Sequence, residues 1–262
     1  MQRVISPGNP RLRAALLLLA SSRERRKSGR CVLEGAHLVG VYEQRKGAPE
    51  LVVITDEALA RNDVREIVAH VPPKSVIVVP ARLLADHSSV PADVGILAVV
   101  PSPRSEARDD ARMTVLLEDL QDPGNVGSIL RTAAAAGAEQ VLLSRTCAFA
   151  WSPKVLRAGQ GAHFLTNVVE DVDVLDWLQR FAARGGTAVA TVARDGDDLY
   201  ATRLPAPLAL AIGNEGAGLS ESLVERCALR VTIPMARGNE SLNAAAAAAI
   251  VLFEALRQQR AA

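Results

Sequence analysis

The chain has 262 residues and a formal net charge of +1, with 49% hydrophobic and 23% charged residues. That composition excludes a disordered or fibrous chain and is enough for a buried core. Aromatics make up only 3%, so Ala, Leu, Val and Ile must fill that core, which favours layered α/β packing over an aromatic-rich sandwich.

Residues 10–28 are expected to form one helix, because Leu12, Leu16 and Leu19 recur at helical spacing and Ser28-Gly29 is a C-terminal stop. The first 46 residues carry ten Lys or Arg against three Glu, a local balance of +7 that leaves −6 for the remainder. Within that arm, Arg23, Arg25, Arg26, Lys27 and Arg30 are candidate contacts to RNA or DNA, since each cation that neutralises a phosphate releases condensed counterions. A solvated helix face is the alternative reading of the same charges. Short apolar runs at 31–33, 51–54, 76–79 and 95–100 are expected strands, alternating with helices at 36–46, 57–70 and 81–87. Together they make a first α/β domain over 1–100. Two prolines and a charged tail mark 101–112 as a linker. A second domain then spans 113–262, with strands expected at 114–117, 141–143, 187–192, 208–212 and 229–233. Its helices are expected at 126–136, 152–159, 173–184, 220–226 and 241–259.

No apolar run approaches the roughly 18 to 20 residues of a membrane span, and the first residues do not read as a secretory signal. Cys31, Cys147 and Cys227 lie far apart without a C-x-x-C pair, so neither a disulfide framework nor a thiolate metal site is indicated. A cytoplasmic location is therefore expected. His37, His70, His87 and His163 stand in unrelated contexts, and no metal is expected.

Three segments carry candidate chemistry. In the first, 119–137, a strand ends in a Pro-Gly turn, Asn125 can cap the following helix, and Arg131 falls six residues on. Arg131 sits in an Ala-rich helix whose apolar neighbours suggest packing, and a buried guanidinium needs an anionic partner. The second, 210–220, runs from a strand into Gly213, Gly216 and Gly218, where backbone can approach a ligand closely. Its spacing is G-x-x-G-x-G rather than the dinucleotide G-x-G-x-x-G. In the third, 231–243, a strand ends at Pro234-Met235, and Ser241 or Asn239 can cap the helix that runs to the C-terminus. Taken singly, each segment also fits an ordinary cap, tight turn or strand end.

Together the three segments resemble the SpoU (TrmH) branch of the SPOUT RNA methyltransferases. The matches are Asn125 and Arg131, then 213–220, then Ile233-Pro234-Met235 with Ser241-Leu242-Asn243, over about residues 113–260. The first half, with Asn9-Pro10 and Leu33-Glu34-Gly35, is similar to the ribosomal-protein-like RNA-binding domain that many members carry. The resemblance implies an α/β fold with a C-terminal parallel sheet containing a trefoil knot, preceded by that smaller α/β domain. It also implies S-adenosylmethionine bound in the knot loops, and a homodimer whose site draws on both subunits. By the same resemblance Gly213, Ile233 and Leu242 hold the cofactor through backbone groups. Asn214, Glu215, Gly216, Met235, Ser241 and Thr191 complete that pocket.

The implied reaction is methyl transfer to a ribose 2′-hydroxyl of RNA, with ribosomal RNA of the large subunit as first choice and transfer RNA as alternative. Arg131, Asn125, Glu215, Ser241 and Asn243 are the candidate catalytic residues. A guanidinium rarely gives up its proton, so Arg131 is expected to orient the ribose and stabilise the developing alkoxide. Glu215 is expected to hold Arg131 or the dimer partner in place. Two rival classes are a non-catalytic RNA-binding ribosome-assembly factor and a nucleotide-dependent oxidoreductase. The four polar residues Asn125, Arg131, Glu215 and Asn243 argue against the first, and the missing dinucleotide fingerprint against the second.

Overall fold

The computed structural model describes residues 1–85, 95–236 and 241–261. The chain divides into two compact units, Met1–Arg104 with Trp151–Phe164, and Ser105–Ala150 with Leu165–Ala262. A short excursion from the second half of the sequence thus belongs to the first unit, which a linker at 101–112 followed by one continuous domain does not contain.

The first unit contains, in order, β1 (Gln2–Arg3), α1 (Pro10–Ala20), α2 (Ser22–Ser28), β2 (Arg30–Glu34), α3 (Ala36–Lys46), β3 (Leu51–Thr55), α4 (Asn62–Ala69), β4 (Val76–Val79), α5 (Arg82–Ala85) and β5 (Ile96–Pro101). The strands form a sheet in the order β1-β4-β3-β5-β2, with β5 antiparallel to both of its neighbours. Every residue of β3 and β4 is buried, as expected of strands covered on both faces. Leu12, Ala15 and Leu18 of α1 pack on one face against Val32, Val53, Ile77 and Val99.

The single helix expected over 10–28 is two helices broken at Ser21, whose side chain caps α2 by accepting from the Glu24 N–H. Arg25 turns inward at this break and donates to the backbone carbonyls of Leu18 and, at 2.9 Å, Leu19. These are carbonyls that the last turn of α1 leaves without helical partners. The helix expected at 57–70 is shorter, preceded by a 3₁₀ turn at Ala58–Ala60. Only Arg82–Ala85 of the helix expected at 81–87 lies within the described residues, and His87 lies outside them.

In the second half of the sequence the elements are β6 (Met113–Leu117), α6 (Pro123–Ala135), β7 (Gln140–Ser144), α7 (Pro153–Gly159), β8 (Asn167–Val172), α8 (Val174–Ala183), β9 (Thr187–Thr191), β10 (Asp197–Asp198), β11 (Leu208–Ile212), α9 (Glu221–Arg226), β12 (Leu229–Thr232) and α10 (Ala244–Ala261). Of these, α7 belongs to the first unit. The seven strands form a sheet in the order β10-β12-β9-β11-β6-β7-β8, with every pairing parallel. Trp177 and Phe181 of α8 stack with ring centroids 4.7 Å apart and pack against Leu116, Leu142, Ala209 and Ala211 on one face of the sheet. Among the described residues no helix is long and apolar enough to cross a membrane.

Strand order brings the site together. β9, β11 and β6 are adjacent and parallel, so their C-terminal ends, followed by residues 192–193, 213–220 and 118–122, open on the same edge of the sheet. In open parallel sheets that edge is where ligands bind.

Candidate active site

The 213–220 loop begins where β11 stops. Asn214 and Gly218 pair backbone to backbone, each N–H donating to the other's carbonyl at 3.0 Å. Gly213 lies so close beneath this turn that a Cβ there would stand 2.3 Å from the Gly218 carbonyl carbon and the Leu219 nitrogen, far inside contact distance. Gly218 itself has φ +73°, in the left-handed region.

Facing this loop is a cavity lined by Thr191, Val192 and Ala193 after β9, Ile212 to Gly216 and Gly218 after β11, Ile233 and Met235 after β12, and Ser241, Leu242, Ala244 and Ala247 leading into α10. Its empty space, open mouth included, is about 780 Å³, within the range of small-ligand sites. All nine residues expected to bind the cofactor line it: Thr191, Gly213, Asn214, Glu215, Gly216, Ile233, Met235, Ser241 and Leu242. Sequence reasoning singled out Gly218 as loop backbone but missed Val192, Ala193, Ile212, Ala244 and Ala247. Their small or aliphatic side chains carry no chemical signal, though Val192, Ala193 and Ile212 could have been found as the ends of expected strands.

Beside the cavity a polar cluster links the three motif segments. The Asn125 side-chain amide donates to Glu215 Oε1 at 3.0 Å, and the Asn243 amide donates to Asn125 Oδ1 at 3.0 Å. Glu215 also accepts from the backbone N–H groups of Asp122, at 3.2 Å, and Gln121, at 3.5 Å. Burial works against the charged carboxylate, but the hydrogen bonds from Asn125 and the backbone outweigh it and hold the Glu215 pKa below the usual glutamate value.

Several expectations about side-chain roles are corrected. Asn125 does not cap α6; Asp122 does, by accepting from the Asn125 N–H at 2.7 Å. This frees the Asn125 amide for Glu215. The cap of α10 is Asn243, which accepts from the Ala245 N–H at 2.9 Å and the Ala246 N–H at 3.3 Å, rather than Ser241. Asn239 lies outside the described residues. Arg131 is exposed rather than buried, makes no side-chain hydrogen bond or ion pair among the described residues, and does not line the cavity. Glu215 therefore serves Asn125, not Arg131. In the first unit, Arg23, Arg26, Lys27 and Arg30 are exposed, with Arg30 paired to Glu50 at 2.5 Å, whereas Arg25 is buried and unable to reach a polyanion.

The sequence model of the SpoU rRNA Methylase family matches residues 112–253. This chain belongs to that family. It is 34% identical to an uncharacterized tRNA/rRNA methyltransferase of Synechocystis sp., over 99% of the chain and 95% of the relative. It is 30% identical to the 23S rRNA (guanosine(2553)-2′-O)-methyltransferase of Bacillus subtilis, over 90% of the chain and 92% of the relative. The crystal structure of the SpoU methyltransferase AviRb from Streptomyces viridochromogenes, in complex with AdoMet, superposes with a TM-score of 0.83 at 29% identity. That match covers 96% of this chain and 98% of the other.

SpoU methyltransferases use S-adenosylmethionine, and the cavity suits it. Thr191 Oγ1 is buried with no hydrogen-bond partner among the described residues, a free polar handle in an otherwise largely aliphatic wall. Among the described lining residues Glu215 is the one charged side chain, which is compatible with a cofactor that carries a sulfonium and an ammonium group. Among the described residues no cluster of three His, Cys, Asp or Glu could hold a metal ion.

Proposed function

We propose that this SpoU-family enzyme transfers a methyl group from S-adenosylmethionine to a ribose 2′-hydroxyl of RNA, with 23S ribosomal RNA as substrate. The observation that carries the reading is the cavity itself. It gathers the second and third motif segments at one edge of a parallel sheet, beside a cluster in which Asn125 of the first segment is hydrogen-bonded to Glu215 and to Asn243.

When bound, the cofactor supplies an electrophilic methyl group on sulfur. The residues of this chain do the rest. Backbone groups of Gly213, Ile233 and Leu242, with Asn214, Gly216, Met235 and Thr191 around them, hold the nucleoside. Asn125, Ser241 and Asn243 offer neutral donors and acceptors to the incoming ribose, and Glu215 fixes the Asn125 amide. Arg131 would position the ribose and adjoining phosphate and stabilise the negative charge that develops on the 2′-oxygen as its proton passes to water. Alignment of this kind can be worth about 7 kcal/mol or more of the barrier.

A homodimer is part of the proposal. It is supported by the position of Arg131, exposed on α6 and absent from the lining of its own subunit's cavity, as a residue delivered to a partner's site would be. Phe253, 49% exposed on α10, which packs against α6, offers an apolar contact for such a partner. A trefoil knot in the C-terminal segment also belongs to this reading, supported by the return of the chain after β11, and again after β12, to one cavity. The first unit is assigned the RNA substrate, through exposed Arg23, Arg26, Lys27 and Arg30. A cytoplasmic location is proposed with it, supported by three free cysteines.

The test is to map ribose methylation across ribosomal and transfer RNA with and without the gene. Loss of one 2′-O-methyl mark in 23S RNA, restored by the gene and not by an Arg131→Ala copy, is expected. Loss confined to transfer RNA would move the substrate, and no lost mark would overturn the activity. Titration calorimetry adds a binding arm: S-adenosylmethionine and S-adenosylhomocysteine should bind and NAD should not.

A further inference from the structure

Two consecutive carboxylates at the end of β6 have no part in the chemistry above, yet both reach across to the 213–220 loop. Asp119 has φ 54°, in the left-handed region where Asp is tolerated better than most residues. Its backbone carbonyl and its carboxylate both accept from the Asn214 amide, at 2.8 and 3.3 Å. Asn214 passes the anchorage on, since its Oδ1 accepts from the Gly216 and Ala217 N–H groups at 2.9 and 3.0 Å. Asp119 is itself held, its N–H donating to Ser144 Oγ at 3.0 Å and its Oδ1 accepting from the Gln121 amide at 3.0 Å.

Glu118 secures the other end of the loop. Its two oxygens accept from Ser220, one from the backbone N–H and one from the hydroxyl, each at 2.7 Å. Ser220 in turn caps α9 by accepting from the Leu223 N–H. Apart from the Asn214–Gly218 pair and the bonds that Glu215 accepts from Asn125, Gln121 and Asp122, the two ends of the loop depend on these side chains for their position, and most of the loop is exposed.

We propose that Asp119 and Glu118 are positioning residues for the cofactor, clamping the two ends of the glycine loop at Asn214 and Ser220 so that its backbone presents a preformed binding face. The assignment rests on the cavity being the S-adenosylmethionine site. Preorganisation of this kind acts on binding, because ordering a mobile loop would otherwise be charged against affinity. Asp119 is the more informative position, since one residue supplies both the carboxylate and the unusual backbone that aims its carbonyl.

The experiment is calorimetric titration of the full chain with S-adenosylhomocysteine, alongside steady-state kinetics with RNA, for the wild type, D119G, D119N and E118Q. D119G keeps the left-handed backbone and loses the carboxylate. It should weaken binding about ten-fold, the scale of a lost charge-assisted hydrogen bond, and raise the cofactor KM in step, with kcat at saturating cofactor within about two-fold. D119N keeps an acceptor and the backbone preference, and should restore affinity to within about three-fold of wild type. E118Q keeps one acceptor oxygen and should lie between them. Thermal melting without ligand separates loss of fold from loss of clamp. Equal affinity of wild type and D119G, a fall in kcat with unchanged KM, or a D119N no better than D119G would overturn the assignment. Failure of the wild type to bind would instead overturn the reading of the cavity, and this assignment with it.

Discussion

At the scale of single residues, two arginines that look alike in the sequence are used in opposite ways. Arg25 is 5% exposed and donates to the carbonyls at the end of α1, while Arg131 is exposed and makes no such bonds. Truncating Arg25 strips donors from buried carbonyls, so Arg25→Ala should cost about 1–3 kcal/mol of stability, read as a lower denaturation midpoint in urea. Arg131→Ala should leave that midpoint within about 0.5 kcal/mol of wild type, as exposed substitutions do. It should nonetheless lower kcat by about 100-fold or more, as removal of a group that stabilises developing charge does. Arg131→Lys separates shape from charge: a lysine enzyme with near-wild-type turnover at saturating RNA would show that the fork geometry of the guanidinium is not used. Glu215 makes a different prediction, in pH. Its folded-state pKa is lowered, so the charged form is favoured by folding. The stabilisation it lends is present above the unfolded value of about 4.3 and is lost as pH falls through the lower folded value. Cofactor affinity should therefore show no inflection from Glu215 between pH 6 and 9, and Glu215→Gln should leave the pH profile in that window unchanged in shape. A new or missing limb there would show that the Asn125 cluster is not what sets the ionisation of this carboxylate.

At the scale of elements, the sequence was most legible where periodicity and length agreed. The strands at 51–54, 76–79 and 208–212 and the helices at 36–46 and 173–184 sit within a residue or two of their expected bounds. The reason is that β3, β4 and β11 are buried throughout and read as unbroken aliphatic runs. What was illegible has physical causes too. The edge strand β8, Asn167–Val172, was not expected. It is only half-buried, carries Glu170 and Asp171 towards its C-terminal end, and bulges against β7. The break at Ser21 was hidden because the leucine spacing stops at Leu19 and the charged run beyond it carries no apolar period, so nothing in the pattern shows that the Ser21 side chain closes a cap instead of continuing the helix. Within the site, the residues that line the cavity were readable from the motifs, whereas the assignment of caps was not. Asn125, Asp122, Ser241 and Asn243 are all capping types, and only the fold decides which one is used. The glycine loop yields a prediction at this scale. Because a Cβ on Gly213 would collide with backbone at 2.3 Å, Gly213→Ala must displace the whole 213–218 turn. Cofactor binding should fall below detection in calorimetry while circular dichroism still reports the parallel sheet, since the turn lies past the end of β11. Retained binding would mean that the turn can shift without loss of its ligand-facing backbone.

At the scale of the whole molecule, the first unit is not a contiguous stretch of chain. Trp151–Phe164 belong to it, and the chain therefore passes between the two units at 104/105, 150/151 and 164/165. Those residues supply part of its interior. Phe164 packs edge-on against Tyr42 at 5.1 Å, Trp151 lies 5.2 Å from His163, and Arg157 pairs with the buried Glu34 at 3.8 Å. A fragment ending at Arg104 would lose this aromatic layer, the α7 packing on β2 and the Arg157 pairing of Glu34. Residues 1–104 expressed alone should thus be unfolded or aggregated, although the sequence reads as a self-sufficient domain over 1–100. The same stretch followed by a short Gly-Ser linker and residues 151–164 should recover a cooperative melt. That rescued unit also provides the cleanest measure of the basic arm. Replacing Arg23, Arg26 and Lys27 together with Ala should weaken RNA binding and reduce the slope of log K against log salt by about 2, roughly 0.7 per phosphate contact on single strands. Arg25 belongs outside that set because its guanidinium is engaged at the end of α1. A slope unchanged by the triple substitution would transfer the RNA contact to another surface and return the cluster to the role of a solvated helix face.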